Sequence, residues 1–149
     1  MANADKTYVD PSALRRLYVH DSRSQAFCAW RARVGGSLAM TLHGRAELIN
    51  SIGLAVFRRD IPKSAGDAAF EDLRADIERG RLAVADLSWR QTFELAAELS
   101  RQYTSSLGTR TLDVLHVASA RVLGMRTFVT YDDRQATLAK AVGLRMVQP

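Results

Sequence analysis

Five short runs rich in apolar residues recur along the chain: TYVD at residues 7–10, SLAMTL at 37–42, RLAVADL at 81–87, MRTFVTY at 125–131 and LRMVQ at 144–148. Each has the length of a strand and little polar alternation, the pattern of strands buried on both faces of a parallel sheet. Between them lie stretches with helical periodicity. Leu48, Ile49, Ile52 and Val56 form a stripe through GRAELINSIGLAVF, and Leu112, Leu115, Ser119 and Val122 form another after Arg110. Gly80, Gly124 and Gly143 follow three such stretches as terminators. Ser88 and Gln91 have the spacing of a capping box, which predicts a helix starting at Trp89. RRDIPKSAGDA, residues 58–68, holds Pro62 and Gly66 and reads as a loop between two helices. Alternation of about five strands with helices predicts an α/β fold, a parallel sheet covered on both faces.

Composition narrows the class. A chain of 149 residues has the length of one domain, so residues 1–149 are expected to form a single one. The apolar runs are far too short to cross a bilayer, and no secretory leader is recognisable, so a cytoplasmic location is expected. The single cysteine, Cys28, excludes an intrachain disulfide and a thiolate zinc cluster, and reads as a small buried residue. A net charge of +5, carried mostly by arginine, favours polyanions such as nucleic acid.

Asp10 closes the first strand run, and Asp132 with Asp133 follows the fourth. In parallel α/β sheets ligands bind beyond the carboxyl ends of strands. Glu47 lies one turn into the helix after SLAMTL and Asp113 in the first turn of the helix at Leu112, so both are candidates for the same edge. Four converging carboxylates would repel one another and take up protons unless a cation compensated them. Oxygen donors of this kind suit Mg2+ or Mn2+. Each acid also has a structural reading. Asp10-Pro11 is a good helix cap and first-turn pair, Asp113 suits a helix dipole, Glu47 suits a solvated surface, and one of Asp132 and Asp133 is expected to cap the last helix while the other points into the site. Ser12 and Thr130 are placed to orient a carboxylate or hold a water, and Arg110 to meet a substrate phosphate. His116 reads as a core or edge histidine, His43 as a helix-start residue and His20 as the end of the first helix. Tyr8 and Tyr131 are candidates to line a groove.

Together YVDPSAL, AELINSIGLAVFR, TLDVLHVASA and FVTYDDRQATLA resemble the PIN-domain ribonucleases, in particular the VapC-type toxins of bacterial toxin–antitoxin pairs, over almost the whole chain. The resemblance implies a three-layer α/β/α sandwich and hydrolysis of RNA phosphodiester bonds with Mg2+ or Mn2+. Carried over motif by motif, the acids are Asp10, Glu47, Asp113 and Asp132, as metal ligands and catalytic groups. Asp133, beside the fourth, departs from the pattern and leaves two candidates there. The resemblance also implies a bacterial cytoplasmic protein, a homodimer and a small VapB-type antitoxin that blocks the site. The competing reading is a nonenzymatic RNA-binding or antitoxin-bound regulatory module on the same fold. An aspartyl phosphatase would want an acid at Ser12, and phosphate-loop glycine motifs are missing from the sequence.

Overall fold

The structure, a computed structural model, describes residues 6–149. All five apolar runs contain strands, each three residues long: β1 (Thr7–Val9), β2 (Leu38–Met40), β3 (Leu82–Val84), β4 (Thr127–Val129) and β5 (Arg145–Val147). The strand order is β3-β2-β1-β4-β5. Thr7 is in register with Thr127, Leu38 with Leu82, and Thr127 with Arg145, all in parallel pairs. Parallel neighbours need long crossovers, and helices supply them. The chain groups into two compact units, one of residues 11–85 with Pro149, the other of residues 6–10 and 86–148.

The first unit holds α1 (Pro11–Leu14), a 3-10 turn at Arg15–Leu17, α2 (Ser24–Arg33), β2, α3 (Leu42–Phe57), α4 (Lys63–Glu78) and β3. Thr41 caps α3, its hydroxyl accepting from the Gly44 amide at 3.0 Å, and this fixes where the helix starts. Leu48, Ile52 and Ala55 are its buried face, while Ile49 is 37% exposed, so the stripe is narrower than the periodicity implied. The predicted loop at 58–68 is shorter than expected. Pro62 is the residue before α4, and Lys63 onwards is helical, because proline's fixed φ suits a helix entrance as well as a turn. Gly66 therefore lies inside a helix, where a Cβ would stand 2.5 Å from Val56 Cγ2. Its missing side chain is what lets α3 and α4 approach there. Tyr18 donates its hydroxyl proton to Asp76 Oδ2 at 2.8 Å, and burial, with that carboxylate, pushes its pKa up. Two expectations need correction. The first helix is a short one, so His20 lies beyond it and is exposed. Cys28 is half-buried rather than core, its thiol 4.0 Å from the Arg16 carbonyl.

The second unit holds β1, α5 (Trp89–Leu99), a π turn at Ser100–Thr104, α6 (Ser105–Leu107), α7 (Thr111–Val122), β4, α8 (Asp133–Ala141) and β5. Gly108 ends α6 at φ 66°, a left-handed conformation that glycine adopts without steric cost. The helix at Trp89 begins where the spacing predicted, yet the Ser88 side chain makes no capping bond. The Thr92 hydroxyl donates to the Ser88 carbonyl instead, at 2.8 Å. Helix α7 is buried without a break from Val114 to Ala120, whereas Leu112 is 48% exposed and outside the core. The two-faced stripe drawn from the sequence is thus too simple for a helix packed on more than one side. Around α7 the core gathers Tyr8, Ala96, Leu99, Phe128, Leu138 and Ala139. Tyr8 is 1% exposed and stacks on Phe128 with ring centroids 5.4 Å apart, so it cannot line a groove.

Candidate active site

Two strand ends and two helix starts of the second unit build the site. β1 and β4 run side by side, and the Asp10 amide continues their ladder by donating to the Val129 carbonyl at 2.9 Å. This places Asp10 beside the end of β4. The Asp10 residue is only 4% exposed, and a carboxylate so buried needs polar partners. One is Gln135, whose Nε2 donates to Asp10 Oδ1 at 3.0 Å and to the Asp113 backbone carbonyl at 3.2 Å.

Asp113 sits in the first turn of α7, half-buried, with Oδ2 3.2 Å from Arg110 Nε. Burial raises its pKa first of all; Arg110 opposes that, and the charges of Asp10 and Asp132 raise it further. Asp113 thus feels the charge of both other acids. Asp132 is the N-cap of α8, Oδ1 accepting from the Gln135 amide at 2.8 Å. Its own amide donates to the Thr130 hydroxyl at 3.1 Å. The sequence expects one of the two adjacent acids to cap α8 and the other to point into the site; the cap is Asp132. Asp132 both caps the helix and contributes charge to the cluster, while Asp133 is exposed in the first turn.

The first unit carries the remaining candidates. Glu47 is half-buried on α3 and Ser12 is exposed on α1. His43 follows the capping residue Thr41 and is half-buried. His116 is wholly buried and hydrogen-bonded to Tyr8, as its position beside Leu115 predicted. Gln135 escaped the sequence reading altogether. Its capping-box spacing, three residues after Asp132, marks it only as a helix-start residue and gives no sign of its contacts with Asp10 and Asp113.

Among the described residues, no group of three or more His, Cys, Asp and Glu side chains is gathered to hold a metal ion. Magnesium fits this arrangement nonetheless. It is commonly held by one or two carboxylates and keeps several waters, whereas calcium takes six to eight oxygen donors and structural zinc four close ligands. Asp10, Asp113 and Asp132 supply hard oxygen donors only, and the repulsion that Asp10 and Asp132 exert on Asp113 is what a cation would relieve. No described helix is long and apolar enough to cross a membrane.

Comparison with known proteins agrees with the fold. The family described as "PIN domain" matches residues 7–141. Ribonuclease VapC46 of Mycobacterium tuberculosis is 30% identical over 149 residues, covering 95% of this chain and 96% of that protein. Among solved structures, M. tuberculosis VapC20, described as a sarcin-ricin-loop-cleaving toxin, superposes with a TM-score of 0.69 at 19% identity, covering 96% of this chain and 99% of that one. VapBC2 of Rickettsia felis, bound to a DNA fragment from its promoter, gives 0.60 at 16% identity, covering 95% and 97%.

Proposed function

Since the chain belongs to the PIN-domain family, we propose that it is a metal-dependent endoribonuclease, the toxin of a toxin–antitoxin pair. The observation that carries this reading is the cluster of Asp10, Asp113 and Asp132 beyond the ends of β1 and β4, with Asp113 raised by burial and by its acidic neighbours. A full-length relative named as a ribonuclease supports the activity.

Asp10, Asp113 and Asp132 would hold Mg2+ or Mn2+, directly or through water, with Glu47 as the fourth acid of the family pattern. The ion supplies a Lewis acid that neutralises charge on the phosphoryl oxygens and makes water nucleophilic near neutral pH. The chain's own contribution is placement. Thr130 and the α8 start orient Asp132, and Gln135 together with the β1–β4 ladder holds Asp10. Arg110, 80% exposed at its side chain, pairs with Asp113 from the solvent side and would meet a phosphate oxygen of RNA from there. Ser12 and Asp133 would serve as outer supports. The partners of this reading are an RNA substrate, a VapB-type antitoxin and a second copy of the chain, in a bacterial cytoplasm.

The test is cleavage of a mixed cellular RNA pool by purified, partner-free protein, with Mg2+ or Mn2+, with chelator, and with Asp113→Asn. Cutting that requires both ion and Asp113 supports the reading. Absence of cutting by folded protein across the pool favours the nonenzymatic RNA-binding or regulatory module.

A further inference from the structure

Gln135 stands at the third position of α8, where a glutamine following an N-cap acid ordinarily turns back to accept the cap's own amide proton. Here that proton goes to Thr130 Oγ1. The side chain is thereby released, and its Nε2 reaches across to Asp10 Oδ1 and the Asp113 carbonyl. Its backbone amide meanwhile binds Asp132 Oδ1. One residue thus touches all three residues of the acidic cluster, through three hydrogen bonds between 2.8 and 3.2 Å.

Two further facts set this apart from ordinary packing. Gln135 is wholly buried, and its Oε1 is buried with no hydrogen-bond partner. A buried, unsatisfied acceptor is costly, so an apolar side chain of the same shape would avoid that penalty. Turning the amide over offers no escape, since Oε1 would then face a carboxylate and a carbonyl, both acceptors. The amide is placed for its donors, at the expense of its acceptor.

We propose that Gln135 is a positioning residue of the nuclease site: it holds the Asp10 carboxylate and the start of α7 in the arrangement that receives the divalent ion, with Oε1 left to accept a hydrogen bond from a site water. This rests on the ribonuclease reading above. By engaging Oδ1, Gln135 fixes the orientation of the Asp10 carboxylate. Partners that orient metal-binding groups typically govern affinity by about 10–100-fold.

The experiment measures Mn2+ binding to the purified full chain by the electron paramagnetic resonance of free Mn2+, in the absence of RNA. Wild type is compared with Gln135→Met, which keeps length and loses both donors, and with Leu138→Val, which disturbs the buried face of the same helix away from the acids. Gln135→Asn, too short to reach both acceptors, replaces the methionine variant if that fails to fold. The expected result is Mn2+ affinity weakened about 10–100-fold in the Gln135 variant and unchanged in Leu138→Val. Equal affinity in wild type and the Gln135 variant overturns the positioning role while leaving the nuclease reading intact. Equal weakening in the Gln135 and Leu138 variants also overturns it, since general loosening of α8 would then be the cause. Failure of wild type to bind Mn2+ at all overturns the metal-dependent reading, and this proposal with it.

Discussion

The Tyr8 hydroxyl lies 2.7 Å from Nδ1 of His116, with both residues buried. Tyr8 is two residues before Asp10 on β1, and His116 is three after Asp113 on α7, so this bond ties together the two elements that place Asp10 and Asp113. Tyr8→Phe keeps the stack on Phe128 and removes only the bond. Loss of a buried polar partner costs about 1–3 kcal/mol, so denaturant unfolding should show a lower midpoint with an unchanged slope. A stability equal to wild type would mean that the bond contributes nothing net.

Asp113 supplies a pH-dependent test. Its raised pKa means that the folded protein binds this proton more readily than the unfolded chain. With more protons bound when folded, stability falls as pH rises from the unfolded pKa through the folded one, and the cost is complete above it. In metal-free protein, Asp113→Asn should therefore be more stable than wild type at neutral pH, and the advantage should shrink on acidification below the unfolded carboxylate value. Thermal melts of both proteins across that range, with chelator present, check the sign. The same variant should lose RNA cleavage by more than the roughly 10–100-fold typical of an outer-shell partner.

Asp132 has two duties that substitution can separate. Asparagine caps helices about as well as aspartate, whereas alanine loses about 1 kcal/mol at an N-cap. Asp132→Asn should accordingly keep the stability that Asp132→Ala loses, while both abolish metal-dependent cleavage. Equal stability of the two variants would show that the 2.8 Å bond to the Gln135 amide carries no capping energy.

Gly66 tests the close approach of α3 and α4. Alanine ordinarily favours a helix by about 1 kcal/mol over glycine, yet here its Cβ would stand 2.5 Å from Val56 Cγ2. Overpacking of this kind costs about 1–3 kcal/mol. Gly66→Ala should be destabilised, and adding Val56→Ala should recover part of the loss. A double-mutant cycle on unfolding free energies reads the coupling directly. Additive effects would show that the two positions do not interact.

By itself the sequence determined the strands and most helix starts, because local physics decides them. Apolar runs such as TFV and glycines such as Gly124 act within a few residues, and Asp132 stands in the sequence where an N-cap must be. The acids at 10, 113 and 132 were legible for the same reason, each at the end of a strand run or the start of a helix. Tertiary structure alone decided which side chains meet. Tyr8 reads as a groove-lining aromatic until β4 brings Phe128 against it and α7 brings His116. Gln135 reads as an ordinary first-turn residue, since its partners Asp10 and Asp113 are 125 and 22 positions away. Hydrogen bonds of that reach leave no period or spacing in a sequence, because they depend on the packing of elements rather than on the order of neighbours.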